Sequence, residues 1–95
     1  MQKPLERVIV KKVMDIAKSL GWWAMKNHGS AYSLVGLPDV LVIKGGRAAW
    51  MEVKRPDEHP TKVQIHRMGE LSAAGCQCAV VRSAVEARDF LEAIK

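Results

Sequence analysis

The sequence predicts one mixed α/β domain spanning residues 1–95, with elements in the order α-β-β-β-α-β-α and helices on both faces of a mixed sheet. Three observations carry this. Gly45-Gly46 separates two β-rich runs, as a tight hairpin requires. Apolar residues recur at helical spacing near both ends of the chain. A helical segment lies between the third and fourth predicted strands, and a helical crossover of that kind joins parallel neighbours.

Taken in order, residues 4–20 read as a helix. Pro4 suits a first turn, Leu5, Ile9, Val13, Ile16 and Leu20 form the apolar stripe, and Gly21 stops it. Trp22 to His28 reads as a first strand that places Trp22 and Trp23 on opposite faces, one in the core and the other free to stack on a base or enter a dimer interface. Gly29-Ser30-Ala31 and Tyr32 to Leu37 form a loop closing on Pro38. Residues 39–44 and 47–54 make the hairpin. Val40, Val42, Ala49, Met51 and Val53 share one face and Leu41, Ile43, Ala48 and Trp50 the other, so the strands read as covered on both sides. After a polar loop, Thr61 and Gln64 form a capping box that opens a helix to about Ala74, with Ile65, Met68 and Leu71 inward. Cys76 to Arg82 is a strand. Ser83 and Glu86 open a last helix with Ala87, Phe90, Leu91 and Ile94 inward.

Ninety-five residues bury one core and leave a domain of modest stability, which favours oligomerisation. A net charge of +5 points to an anionic partner. The first helix is too charged for a signal sequence, and no apolar run nears the ~20 residues of a membrane span. The expectation is therefore a cytoplasmic, intracellular protein with no membrane partner. Cys76 and Cys78, two residues apart on one strand, suit neither a disulfide nor a complete zinc site and read as buried apolar residues.

The chemistry sits on the hairpin. If Gly45-Gly46 sets the register, Lys44 faces Arg47 and Asp39 stands directly opposite Glu52. The two Cβ atoms are then ~5 Å apart on one face, which Lys54 shares. Opposed carboxylates repel, and a divalent cation removes the objection. Hard cations such as Mg²⁺ take oxygen ligands and keep positions for water and phosphate. A lysine beside such a site orients a water or neutralises phosphate charge.

Gly36-Leu37-Pro38-Asp39, the hairpin, Glu52-Val53-Lys54-Arg55-Pro56 and then Gln64 at a helix start together resemble the PD-(D/E)XK nuclease signature in its VRR-NUC branch, the stand-alone phage or bacterial type. The resemblance covers nearly the whole chain and implies a restriction-endonuclease-like core. It implies that Asp39 and Glu52 bind Mg²⁺ or Mn²⁺ with the carbonyl of Val53, that an acid of the first helix, Glu6, completes the site, and that Lys54 and Gln64 join Asp39 and Glu52 in catalysis. Plainer roles stand beside these: Glu6 also suits a helix N-terminus, and Gln64 is the N3 residue of the capping box. Candidate DNA contacts are Lys26, His28, Ser30, Tyr32, Arg55 and Lys62, within a wider basic set that includes Lys3, Arg7, Lys11 and Arg67.

No sequence-reading element is present, and backbone contacts without base readout select DNA by shape. The expected activity is a structure-selective endonuclease on branched DNA such as a Holliday junction. A homodimer pairs two sites about a two-fold axis, and no small-molecule cofactor is needed. The alternatives are a less selective nicking or trimming deoxyribonuclease and a non-catalytic DNA-binding module of the same fold.

Overall fold

The computed structural model describes residues 5–29 and 34–95. Pro4, Lys3, Ser30 and Tyr32, assigned above to a helix start or to DNA contact, lie outside the described residues. The elements are α1 (Glu6–Ser19), β1 (Trp23–Lys26), β2 (Val40–Lys44), β3 (Arg47–Val53), α2 (Lys62–Ala73), β4 (Gln77–Val81) and α3 (Ala84–Glu92). The predicted order holds, and each strand is shorter than its sequence pattern by one to three residues.

The sheet runs β1-β2-β3-β4, antiparallel except for the parallel β3–β4 pair formed across α2. Gly45 and Gly46 take φ of 58° and 77°, the paired positive values of a type I′ turn. That turn sets Lys44 opposite Arg47, and the ladder runs out from there to Val40 opposite Met51.

Alternation along the hairpin separates two unlike faces. Val40, Val42, Ala49, Met51 and Val53 are all buried, in one core with Ile9, Val10, Val13 and Ala17 of α1 and Ala87 and Leu91 of α3. The predicted α1 stripe holds at Ile9 and Val13, with Ile16 and Leu20 packed against the core; Val10 and Ala17 join it, and Leu5 is exposed. Leu5 caps the helix from outside, so its side chain misses the sheet. Trp22 is buried beneath the end of α1, and Lys44 Nζ lies 5.9 Å from its ring centroid while donating to the Leu20 carbonyl at 2.7 Å.

The other face is covered only in part, which corrects the expectation of a sheet shielded on both sides. Register places Trp23, Ile43 and Ala48 in one row and Met25, Leu41, Trp50 and Cys78 in the next. Ser72 of α2 reaches Cys78, so α2 lies over this face at its β4 side. Toward β1 and β2 the face is open, with Trp23 56% exposed and Met25 and Ile43 also exposed. The two tryptophans do take opposite faces.

α2 carries no fully buried residue. Its inward side consists of the half-buried Gln64, Arg67, Met68 and Leu71, whereas Ile65 is exposed. Two of the three predicted inward residues, Met68 and Leu71, are half-buried, and Ile65 alone of the set is exposed. Both cysteines are free and half-buried. Among the described residues, no helix is long and apolar enough to cross a membrane.

Candidate active site

Asp39 ends the loop that enters β2, and three hydrogen bonds fix that junction. Its own carbonyl accepts from the Asn27 amide at 2.7 Å, its Oδ2 accepts from the Val53 amide at 2.7 Å, and Asn27 Nδ2 donates to the Pro38 carbonyl at 3.4 Å. Pro38 lacks an amide hydrogen and is buried, so it enters the sheet end without leaving a donor unpaired. The Asp39 side chain thereby continues the β2–β3 ladder one step beyond its last backbone pair, and it reaches the residue next to Glu52.

Glu52 occupies the penultimate position of β3, opposite Val80 of β4. It is 1% exposed, and among the described residues neither carboxylate oxygen accepts a hydrogen bond. A buried carboxylate without a donor carries the full desolvation cost of its charge. Its pKa is pushed up to about 8, first by burial and then by the charge and side-chain contact of Asp39, with Lys54 pulling the other way. Lys54 Nζ lies 3.7 Å from Glu52 Oε2, and Lys54 is itself 8% exposed. Its amide donates to the Val81 carbonyl at 3.0 Å, extending the parallel ladder to the lysine and fixing its position.

Glu6 opens α1. Its carboxyl is raised by burial and then by Asp39, while Lys54 and Arg55 lower it, so the helix start lies in the field of the carboxylate pair. Among the described residues no three His, Cys, Asp or Glu side chains form a ready metal cage. What the residues offer a divalent cation is the Asp39–Glu52 pair. Two partnerless oxygens on Glu52, hard donors and a carboxylate held protonated in the absence of a cation all fit such an ion.

Gln64 closes the capping box: its Oε1 accepts from the Thr61 amide at 2.8 Å, and its amide donates to Thr61 Oγ1 at 3.2 Å. The side-chain nitrogen takes no part in the box. Around the site, Lys26, His28 and Lys62 are exposed, and Arg55 is half-buried 3.5 Å from Glu58.

Two further residues shape the site. Asn27 clamps Pro38-Asp39, and its only sequence signal is a position at the end of a strand that must turn. Gly36, with φ of 86°, lets the loop approach the α2 backbone; the Val63 carbonyl would lie 2.9 Å from a Cβ there. Arg67 Nε donates to the Val35 carbonyl at 2.8 Å and holds the same loop.

No model of a known protein family matches this chain, nor does any curated protein. Solved structures do match. One, a VRR_NUC domain, superimposes with a TM-score of 0.78 over 95% of this chain and 97% of its own, at 24% identity. Another, a VRR_NUC domain protein, gives 0.80 over 96% of this chain and 88% of its own, at 15% identity. At these identities the likeness is one of fold. The chain has the VRR_NUC-domain fold, in the restriction-endonuclease-like arrangement that its sequence order predicts.

Proposed function

We propose that this protein is a metal-dependent deoxyribonuclease that hydrolyses phosphodiester bonds, selects branched DNA such as a Holliday junction, and acts as a homodimer. The observation that carries the catalytic part is Glu52, whose two buried oxygens lack any partner beside Asp39 and Lys54. A protein that only bound DNA would gain nothing from opposed carboxylates near phosphate, where they repel the ligand.

In this reading Asp39, Glu52 and the Val53 carbonyl hold Mg²⁺ or Mn²⁺, and Glu6 joins through water. What such an ion supplies is Lewis acidity toward the phosphate and a more acidic water. Asp39 holds its ligand geometry through the Val53 amide. Lys54, placed 3.7 Å from Glu52 Oε2, donates to the attacking water or to a phosphate oxygen as negative charge grows there. Gln64 presents its side-chain nitrogen to the substrate while its oxygen serves the capping box. Lys26, His28, Arg55 and Lys62 contact backbone phosphates.

The test is cleavage of end-labelled four-way junction, flap, linear duplex and single strand with Mg²⁺, Mn²⁺ or EDTA. Symmetric metal-dependent cuts in the junction, reduced by about 10²-fold or more in Lys54→Ala, are expected. Equal cutting of all duplexes would reduce the reading to a nicking or trimming nuclease. Salt-sensitive binding without cleavage under either metal would replace it with a binding module.

Support for a homodimer comes from the open apolar face of β1 and β2. Exposed Trp23, Met25 and Ile43 beside half-buried Leu41 and Trp50 form a patch of the kind that marks protein contacts. Trp23→Ser is expected to convert a sedimenting dimer to monomer at micromolar concentration. It should also remove the symmetry of junction cutting. An unchanged sedimentation coefficient would place the dimer contact elsewhere.

Gln64→Glu separates its two roles. Glutamate preserves the capping box, so Tm should hold within ~2 °C. Loss of the amide donor should lower cleavage about tenfold or more; unchanged cleavage would make Gln64 a cap alone.

A further inference from the structure

The loop that delivers Asp39 ends in two large aliphatic side chains that the core does not use. Leu34 is 55% exposed and Val35 68% exposed. Two adjacent exposed aliphatic side chains make an apolar patch of the kind that marks a contact site. Its backbone is held from Val35 onward. The Val35 carbonyl is bonded by Arg67, whose guanidinium is braced in turn by Glu70 at 2.7 Å. Gly36 is packed against the Val63 backbone, which adds a further exposed valine side chain next to the tip. A cleft of about 390 Å³ runs from Leu34 and Val35 past Gly36 and Leu37 to Asn27 and Asp39, so the tip and the carboxylate line the same opening.

From this we infer that Leu34 and Val35 form a wedge that enters the base stack of the DNA at a branch point, beside the bond to be cut. The inference rests on the nuclease reading and names the feature of the substrate that it selects. Aliphatic wedges are a general device for opening a base step, and unstacking costs a few kcal/mol per step in continuous duplex. At a branch point the step is already interrupted and most of that cost is absent. A rigid wedge next to the cleavage site therefore favours branched over linear DNA without reading any base edge. The cleft, within the ~300–1,000 Å³ range of small-ligand pockets, offers a displaced base somewhere to go.

A second copy of this chain is the competing occupant, and the surroundings favour DNA. Exposed Lys62 precedes Val63 beside the tip, where a two-fold copy would set it against its own image while a DNA phosphate pairs with it.

The test uses a four-way junction carrying 2-aminopurine at the branch point, bound by Lys54→Ala protein so that nothing is cut. Binding should raise the fluorescence several-fold, and Leu34→Ser/Val35→Ser in the same background should remove that rise. In the otherwise wild-type chain the double change should lower the ratio of junction to linear-duplex cleavage about tenfold, equivalent to ~1.4 kcal/mol. Both positions are exposed, so thermal melting should show the double variant folded; a single serine at Val35 serves if it is not. An unchanged fluorescence rise overturns the wedge, as does a double variant that has become monomeric, which would assign the tip to a contact between copies. Absence of cleavage by the wild-type chain on every substrate would instead sink the nuclease reading, while the fluorescence still decides the wedge.

Discussion

Replacing Glu52 with glutamine should abolish metal-dependent cleavage and, in the same protein, strengthen the metal-free fold at alkaline pH. The two effects have one cause. Glu52 is buried beside Asp39, and burial is the larger reason that its pKa rises from 4.5 to about 8. An unfolded chain releases that proton near 4.5 and the folded chain holds it until about 8. Between those values the folded state binds more protons, so stability is fully present below about 4.5 and falls as pH rises through about 8. A shift of this size is on the order of a few kcal/mol. Glutamine is neutral throughout and nearly isosteric. In EDTA at pH 4.5 the variant should therefore match the parent within ~1 kcal/mol, and at pH 9 it should exceed it by roughly 3–5 kcal/mol. Urea denaturation at the two pH values reads this directly.

Mg²⁺ or Mn²⁺ should raise the denaturation midpoint of the parent and leave that of Glu52→Gln unchanged, since only the carboxylate holds a cation well. Cleavage by the variant should fall at least ~10²–10³-fold, as for a lost electrostatic contact to the transition state. A parent stability in EDTA that is flat from pH 6 to 9 would mean that Glu52 is ionised and partnered in solution. A variant that still cuts would remove Glu52 from the chemistry altogether.

What was legible in the sequence follows the range of the interactions involved. The hairpin could be read because Gly45-Gly46 is a local signal with a fixed geometric consequence. From that turn the count outward to Asp39 and Glu52 is arithmetic, and the Val53 amide bonded to Asp39 shows that the register persists to the site. Both capping signals were local too, although Glu86 bonds the Arg82 amide and not the cap residue's own. What failed were single positions: Leu5 and Ile65 are exposed although the rest of each predicted stripe is buried or half-buried, and which end of a stripe meets a neighbour has no sequence-local sign. The openness of the sheet toward Trp23 was hidden for a related reason: an apolar strand face reads alike whether a helix or a second protein covers it. Asn27 is the residue of the site's frame that the sequence does not single out, since asparagine is an ordinary loop residue until its neighbours are known; Gly36 stands in the signature, but its seat against Val63 exists only in the fold.

Gly36 provides the sharpest test of that frame. Gly36→Ala changes one methyl group, yet it should lower stability by roughly 2–4 kcal/mol. Two costs combine. At φ of 86° an L side chain is strained by ~1–2 kcal/mol. In addition, the new Cβ would stand 2.9 Å from the Val63 carbonyl oxygen, 3.0 Å from its carbon and 3.1 Å from Arg67 Cγ. The first two are backbone atoms at the start of α2 and cannot rotate away, so the loop or the helix end must move. For a domain of this size the loss corresponds to roughly 10–25 °C in Tm. Three residues further on lies Asp39, so the same displacement should reduce cleavage about 10- to 100-fold at a temperature where the variant is still folded. Gly29→Ala is the control: among the described residues its Cβ meets nothing within 4 Å, and its φ is not positive, so stability should hold within ~0.5 kcal/mol. Equal melting temperatures for the two alanine variants would show that loop 34–37 is not seated on α2. The clamp on Asp39 would then be the work of Asn27 alone.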